Sequence, residues 1–193
     1  MRLSVFVFAL CLVIGTTAAK AEEFAKATFA GGCFWCLESE FRGKEGVERT
    51  VVGYTGGHVE NPTYEQVSAE KTGHAEAVEI YYDSKKTSYR KLAEYFLTKA
   101  HDPTQLNKQW VDEGPQYRSA IFYHDEEQKK IAEELIAELT AAKRYKNPIV
   151  TEINPAAKFW VAEEYHQQYY EKYEAENGQP HIRVWLKEQN KKK

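Results

Sequence analysis

The chain has 193 residues, with 26 Lys plus Arg against 29 Asp plus Glu and a formal net charge of −3. Hydrophobic residues make up 42% and aromatic ones 13%, which excludes a disordered or collagen-like chain and suits a single domain that buries a core without disulfide staples. The near-neutral charge excludes a protein built to neutralise many phosphates, and 3 cysteines do not make a disulfide scaffold.

The N-terminus reads as an export signal. Met1-Arg2-Leu3-Ser4 is a short cationic start, Val5 to Gly15 is an apolar run holding Cys11, and Ala19-Lys20-Ala21 offers the A-x-A pattern of a signal peptidase site. The run is shorter than the ~20 residues a membrane span needs, and the bulky Leu10 before Cys11 argues against lipidation; an uncleaved anchor is the alternative. Cleavage after Ala21 takes away Arg2, Lys20, Cys11 and the only Met, so 24 basic residues face 29 acidic ones. The expectation is a single domain over residues 22–193, exported across the inner membrane and periplasmic in a Gram-negative host, with no stable membrane anchor. A monomer is the default.

Two cysteines stay, in Gly31-Gly32-Cys33-Phe34-Trp35-Cys36. As a structural disulfide the pair would do little, because crosslink stabilisation grows with the loop closed and this loop is minimal. A zinc site would want a further Cys or His pair, and His58, His74, His101, His124, His166 and His181 are scattered with no i,i+4 pair. A redox-active pair is the better reading. Ala27 to Ala30 reads as a short buried strand, the glycines as a tight turn, and Cys33 to Arg42 as a helix with Phe34, Leu37 and Phe41 on one stripe. Cys33 then falls in the first helical turn, where free N–H groups and the helix dipole are expected to lower its thiol pKa. Cys36 follows one turn on, close enough to attack whatever forms on Cys33.

Further along, Val47 to Val52 reads as a strand. His74 to Asp83 alternates, with Glu76, Val78, Ile80 and Tyr82 on one face and Ala75, Ala77, Glu79 and Tyr81 on the other. Glu76 thus points with apolar neighbours, and a buried, unpaired carboxyl titrates high; a surface Glu at a strand end is the other reading. Thr87 to Ala100 is an amphipathic helix and Ser119 to Tyr123 a strand. Asp125 with Gln128 is a capping-box pattern, opening a helix through Ile131, Leu135 and Leu139. Ile149 to Ile153 is a strand stopped by Asn154-Pro155. Glu163 to Tyr173 is polar and aromatic, helix or loop, and Lys191-Lys192-Lys193 is a solvated end. This alternation predicts an α+β domain, a mixed sheet with helices packed on it.

Several segments together carry a more specific likeness: Gly32-Cys33-Phe34-Trp35, Gly53-Tyr54-Thr55-Gly56-Gly57, Asn61-Pro62-Thr63-Tyr64, Gly73-His74-Ala75-Glu76-Ala77, His101-Asp102-Pro103-Thr104 and Gln116-Tyr117-Arg118-Ser119. Ala162-Glu163-Glu164-Tyr165-His166-Gln167 is a further echo. In this order, over about residues 26–173, they resemble the type A peptide methionine sulfoxide reductases. The resemblance implies a two-layer sandwich with a ferredoxin-like core, followed by a polar extension at 174–193. It also implies reduction of methionine S-sulfoxide, in proteins and as the free amino acid. Cys33 would be the nucleophile and Glu76 the acid. Tyr64 and Tyr117 would donate to the sulfoxide oxygen, Phe34 and Trp35 would cup the methyl group, and Asp112 would bind substrate.

Two departures stand out. Trp110-Val111-Asp112 replaces the family's usual Gly-Asn-Asp run, altering one pocket wall. The recycling cysteines that many members carry in a C-terminal tail are absent, and Cys36 stands where Gly commonly follows Phe-Trp. The implied cycle leaves a sulfenic acid on Cys33, which Cys36 resolves to a disulfide, reopened by thioredoxin or a thioredoxin-like protein. No metal, flavin or nicotinamide cofactor is expected. A secreted dithiol–disulfide oxidoreductase is the alternative. It would have no use for Glu76 and Tyr64 beside Cys33.

Overall fold

A computed structural model describes residues 24–184; the expected cleavage site after Ala21 and the terminal lysines lie outside the described residues. In chain order the elements are β1 (Ala25–Ala30), α1 (Phe34–Phe41), β2 (Val47–Thr55), α2 (Tyr64–Ser68), β3 (Ala75–Tyr82) and α3 (Tyr89–Tyr95). There follow β4 (Lys108–Gln109), β5 (Asp112–Glu113), β6 (Ala120–Tyr123), α4 (Glu126–Ala141), β7 (Glu152–Pro155), β8 (Trp160–Val161) and α5 (Tyr169–Asn177). The six-stranded sheet runs β7-β6-β1-β3-β2-β8. Its inner four strands are antiparallel, with β6 joined in parallel to β7 and β2 paired antiparallel with β8. With α1 and α3 as crossovers, β1-α1-β2-β3-α3-β6 is a ferredoxin-like core in an α+β mixed-sheet sandwich.

The period-2 pattern of β3 places its side chains as expected. Val78, Ile80 and Tyr82 join Phe29, Phe34, Leu37, Phe41 and Phe96 in the main core under the helices, while Ala75 and Ala77 lie in a smaller cluster with Ala30, Ala120 and Phe122. Each buried Phe contributes about 1.5–3 kcal/mol, and the Phe29 and Phe96 rings stack at 4.7 Å. Because β3 is flanked by β1 and β2, every strand residue from Ala75 to Ile80 is buried, Glu76 among them.

The elements depart from expectation in four places. β2 runs on to Thr55 because Gly53 to Thr55 pair with Ala77 to Ala75. The helix expected over Thr87 to Ala100 starts after Ser88, whose side chain caps the Lys91 N–H, and its last turn, Phe96–Ala100, is π-helical. At α4, Asp125 caps the Gln128 N–H at 2.8 Å. Gln128 does not reach back to the Asp125 N–H, however; its amide accepts from the His124 N–H and donates to the Lys26 carbonyl. Finally, Asn154 and Pro155 lie inside β7, where Pro costs no ladder bond because β7 is an edge strand.

Candidate active site

The nucleophile turn is built by two glycines. Gly32 has φ +90°, and a Cβ there would lie 2.7 Å from the Gln109 side chain. A Cβ on Gly31 would meet the His101 ring at 2.9 Å. This close approach explains the His101-Asp102-Pro103-Thr104 segment as scaffold: His101 bonds the Phe96 carbonyl and, at 2.6 Å, the Ser119 hydroxyl, and burial lowers its pKa to about 4, so the ring stays neutral. Gln109 clasps the backbone of Asp102 from both sides. The Gly32 N–H donates to the Tyr117 carbonyl at 3.2 Å, which fixes Tyr117 beside the turn.

All seven residues expected at the cysteine's pocket come together. Cys33, Phe34, Trp35, Tyr64, Glu76, Asp112 and Tyr117 line one cavity of about 260 Å³, with His181 and Arg183 from the C-terminal segment. Glu76 is 2% exposed and accepts the Phe34 N–H at 3.0 Å. Burial raises its pKa to about 8, the Phe34 bond opposing and the nearby Asp112 adding to the shift. It is therefore protonated at neutral pH, a carboxylic acid aimed into the pocket. Burial also raises the pKa values of Tyr64 and Tyr117, with Glu76 as a further cause, so both hydroxyls keep their protons.

The cysteines behave differently from expectation. Both are free thiols. Cys33 occupies the N-cap of α1 rather than its first turn. Its proton bonded to Cys36, and then burial, push its thiol well above the usual range. Cys36 is the acidic member: accepting from Cys33, opposed by burial and helped by Tyr170 and Arg183, it falls to about 6. The pair's negative charge thus rests on Cys36.

Residues that sequence reasoning did not single out hold the pocket in shape. Glu163 accepts from the Tyr54 hydroxyl at 2.9 Å and the Tyr64 N–H at 3.0 Å. His166 accepts from Trp35 Nε1 at 3.1 Å, and its ring lies against Phe34 and Tyr64. Gln167 pairs through its amide with both backbone groups of Val52 at 2.9 Å. The Glu163 to Tyr173 stretch, which the sequence allows as helix or loop and which holds most of the Ala162 to Gln167 motif, is a 3₁₀ turn at Glu164–His166 leading into α5. Its position in a recurring segment was the only available signal. Asp112 is clasped by Arg183 at 2.8 and 2.9 Å, and nothing in the sequence pointed to that pair. Among the described residues no group of three or more His, Cys, Asp and Glu is placed to hold a metal ion.

Comparison with known proteins gives the same answer from most of the chain. Residues 25–193 match the family model of peptide methionine sulfoxide reductase. The chain belongs to this family. A peptide methionine sulfoxide reductase from Methanosarcina acetivorans is 57% identical over 151 residues, covering 78% of this chain and 80% of that protein. Among solved structures, reduced Mxr1 from Saccharomyces cerevisiae superposes with a TM-score of 0.75 at 32% identity, covering 84% of this chain and 91% of Mxr1. Mxr1 in complex with Trx2 matches with a TM-score of 0.55 at 25% identity, over 80% of this chain and 91% of that one. The chain is an enzyme of this type, a peptide-methionine (S)-S-oxide reductase that works by thiol chemistry.

Proposed function

We propose that Cys33 attacks the sulfur of methionine S-sulfoxide while Glu76 protonates the departing oxygen, and that Cys36 then closes a disulfide with Cys33. The observation that carries this reading is the protonated Glu76, buried at the floor of the same pocket as Cys33, Tyr64 and Tyr117. Sulfoxide oxygen gains negative charge as sulfur is attacked, so a neutral acid and two phenol donors stabilise the transition state more than the ground state. Phe34 and Trp35 supply an apolar wall for the S-methyl group, with modest sulfur–aromatic contacts. Asp112 lines the same pocket, where it binds the substrate's backbone.

The protons balance within the site. Before reaction the cysteine pair holds one proton and Glu76 another. Cys33 passes its proton to Cys36 and attacks the sulfoxide sulfur; the oxygen takes the Glu76 proton, its bond to the methionine sulfur breaks as it bonds the Cys33 sulfur, and methionine is released with Cys33 left as a sulfenic acid. Cys36 then attacks the Cys33 sulfur, its proton departs with the hydroxyl as water, and sulfur is oxidised from thiol to disulfide as the sulfoxide is reduced. A thioredoxin-type dithiol protein reopens the disulfide by thiol exchange, and Glu76 recovers its proton from solvent. The complex of the yeast relative with Trx2 supports that choice of reductant. Export, with cleavage after Ala21, would put this repair chemistry outside the cytoplasm, in the periplasm of a Gram-negative host.

The test offers the purified protein each epimer of methionine sulfoxide with a dithiol reductant. The S epimer should be consumed with stoichiometric methionine and the R epimer left intact. Reduction of neither epimer, with the Cys33–Cys36 disulfide still exchanging with thioredoxin, would favour the dithiol oxidoreductase reading instead.

A further inference from the structure

Cys36 has partners of its own that attack by Cys33 does not require. α5 is fastened along α1 in register. The Tyr169 ring stacks on Trp35 with centroids 3.8 Å apart, the Gln168 N–H donates to Glu38 at 2.8 Å, and Glu171 pairs with Arg42. Gln168 turns into the helix with a left-handed φ of 53°. This register sets Tyr170, only 7% exposed, over α1 with its hydroxyl 3.0 Å from Cys36 Sγ. After α5 the chain folds back: His181 lies on the Tyr170 ring at 5.1 Å and accepts the Arg183 N–H. Arg183 then pairs with Asp112, and its charge is among the causes that lower the Cys36 thiol pKa.

The groups that face Cys36 therefore come from each neighbouring element: Cys33 from α1, Tyr170 from α5, Arg183 from the segment after it, and the neutral acid Glu76 from β3. Asp112 on β5 would repel a thiolate, but its charge is matched by Arg183. A phenol hydrogen-bonded to the sulfur and a guanidinium charge nearby favour its anion over its thiol. We infer that Tyr170 and Arg183 are positioning residues that favour Cys36 as a thiolate, the form that resolves the sulfenic acid on Cys33. This inference rests on the sulfoxide chemistry proposed above.

The experiment measures alkylation of Cys36 by iodoacetamide in the reduced enzyme against pH, with fragment-ion mass spectrometry separating it from Cys33. It is paired with single-turnover disulfide formation after one addition of methionine S-sulfoxide. In the wild type the Cys36 midpoint should lie near the value of about 6 that its surroundings impose. Tyr170→Phe, which keeps the ring, should raise that midpoint and slow disulfide formation about tenfold at pH 7, with the difference vanishing at high pH where the thiol ionises unaided. Arg183→Gln should act in the same direction and Arg183→Lys should restore part of the rate. An unmoved midpoint, or the same slowing at every pH, would overturn the inference, since a packing defect does not follow thiol ionisation. A protein that shows the midpoint shift yet forms no methionine would keep the Cys36 assignment and overturn the proposed function.

Discussion

Cys33 at the N-cap of α1 and Cys36 in its first turn are three residues apart, yet the protein treats them as two sites. Cys33 faces a pocket made by the sheet: Glu76 on β3, Tyr64 at the start of α2 and Tyr117 held against the Gly32 turn. Cys36 faces the C-terminal arm, where the Tyr170 hydroxyl bonds its sulfur and the Arg183 charge lowers its thiol pKa. The first surroundings keep protons on acids that must give them up, and the second strip a proton from a thiol that must attack. The difference teaches that a vicinal pair needs two opposed environments, and that a short helix can provide them by presenting one residue to a sheet and the next turn to another helix.

The comparison can be broken from the Cys33 side first. Cys33→Ser should leave no measurable methionine formation, because among the described residues no other sulfur lines the pocket. Glu76→Gln keeps the shape and the Phe34 hydrogen bond but supplies no acid. It should lower the rate of sulfoxide reduction by about 10²–10⁴-fold, while the Cys33–Cys36 disulfide stays reducible by thioredoxin; a variant as active as the wild type would remove Glu76 from the mechanism. In the wild type the sulfoxide-reducing step should decline as pH rises through about 8, where Glu76 loses its proton, and rapid-quench rates across that range check it.

Stability should respond to the same group. Glu76 has its pKa raised from 4.5 to about 8 by burial, so between those values the folded chain binds a proton that the unfolded chain has released. Stability is full below the lower value and is lost as pH climbs to the upper one. Glu76→Gln should flatten that decline, and at pH 9 it should exceed the wild type by on the order of a few kcal/mol in urea unfolding. The smallest effect is expected far from both cysteines: Asp125→Ala removes the cap of α4 and should cost about 1 kcal/mol with activity unchanged. Loss of activity there would mean that the site depends on the outer helix more than its contacts suggest.

What could be read from the sequence divides along the same line. The Cys33 side was legible because it is made of period-2 strand residues and recurring segments, so the alternation of His74 to Asp83 placed Glu76 inward before any contact was known. The Cys36 side was not. Tyr170 is one of 13 tyrosines, and it reaches Cys36 across 134 positions with no local pattern to mark it; Arg183 is in the same case. Two-residue strands such as β4, β5 and β8 carry no periodicity. The helix terminus alone points to a lowered pKa at Cys33, whereas the mutual effect of the two thiols, with help from Tyr170 and Arg183 far along the chain, puts the lower value on Cys36. Gln128 failed as a capping-box member for a similar reason, its amide being drawn to the Lys26 carbonyl of β1.

The most direct test of two separate duties is single-turnover chemistry in Cys36→Ser, with a sulfenic-acid-selective nucleophile as trap and thioredoxin as the only reductant. The account predicts one equivalent of methionine per chain, an adduct on Cys33, and then a stall. Sustained turnover by that variant, or methionine released with no adduct on Cys33, would contradict it.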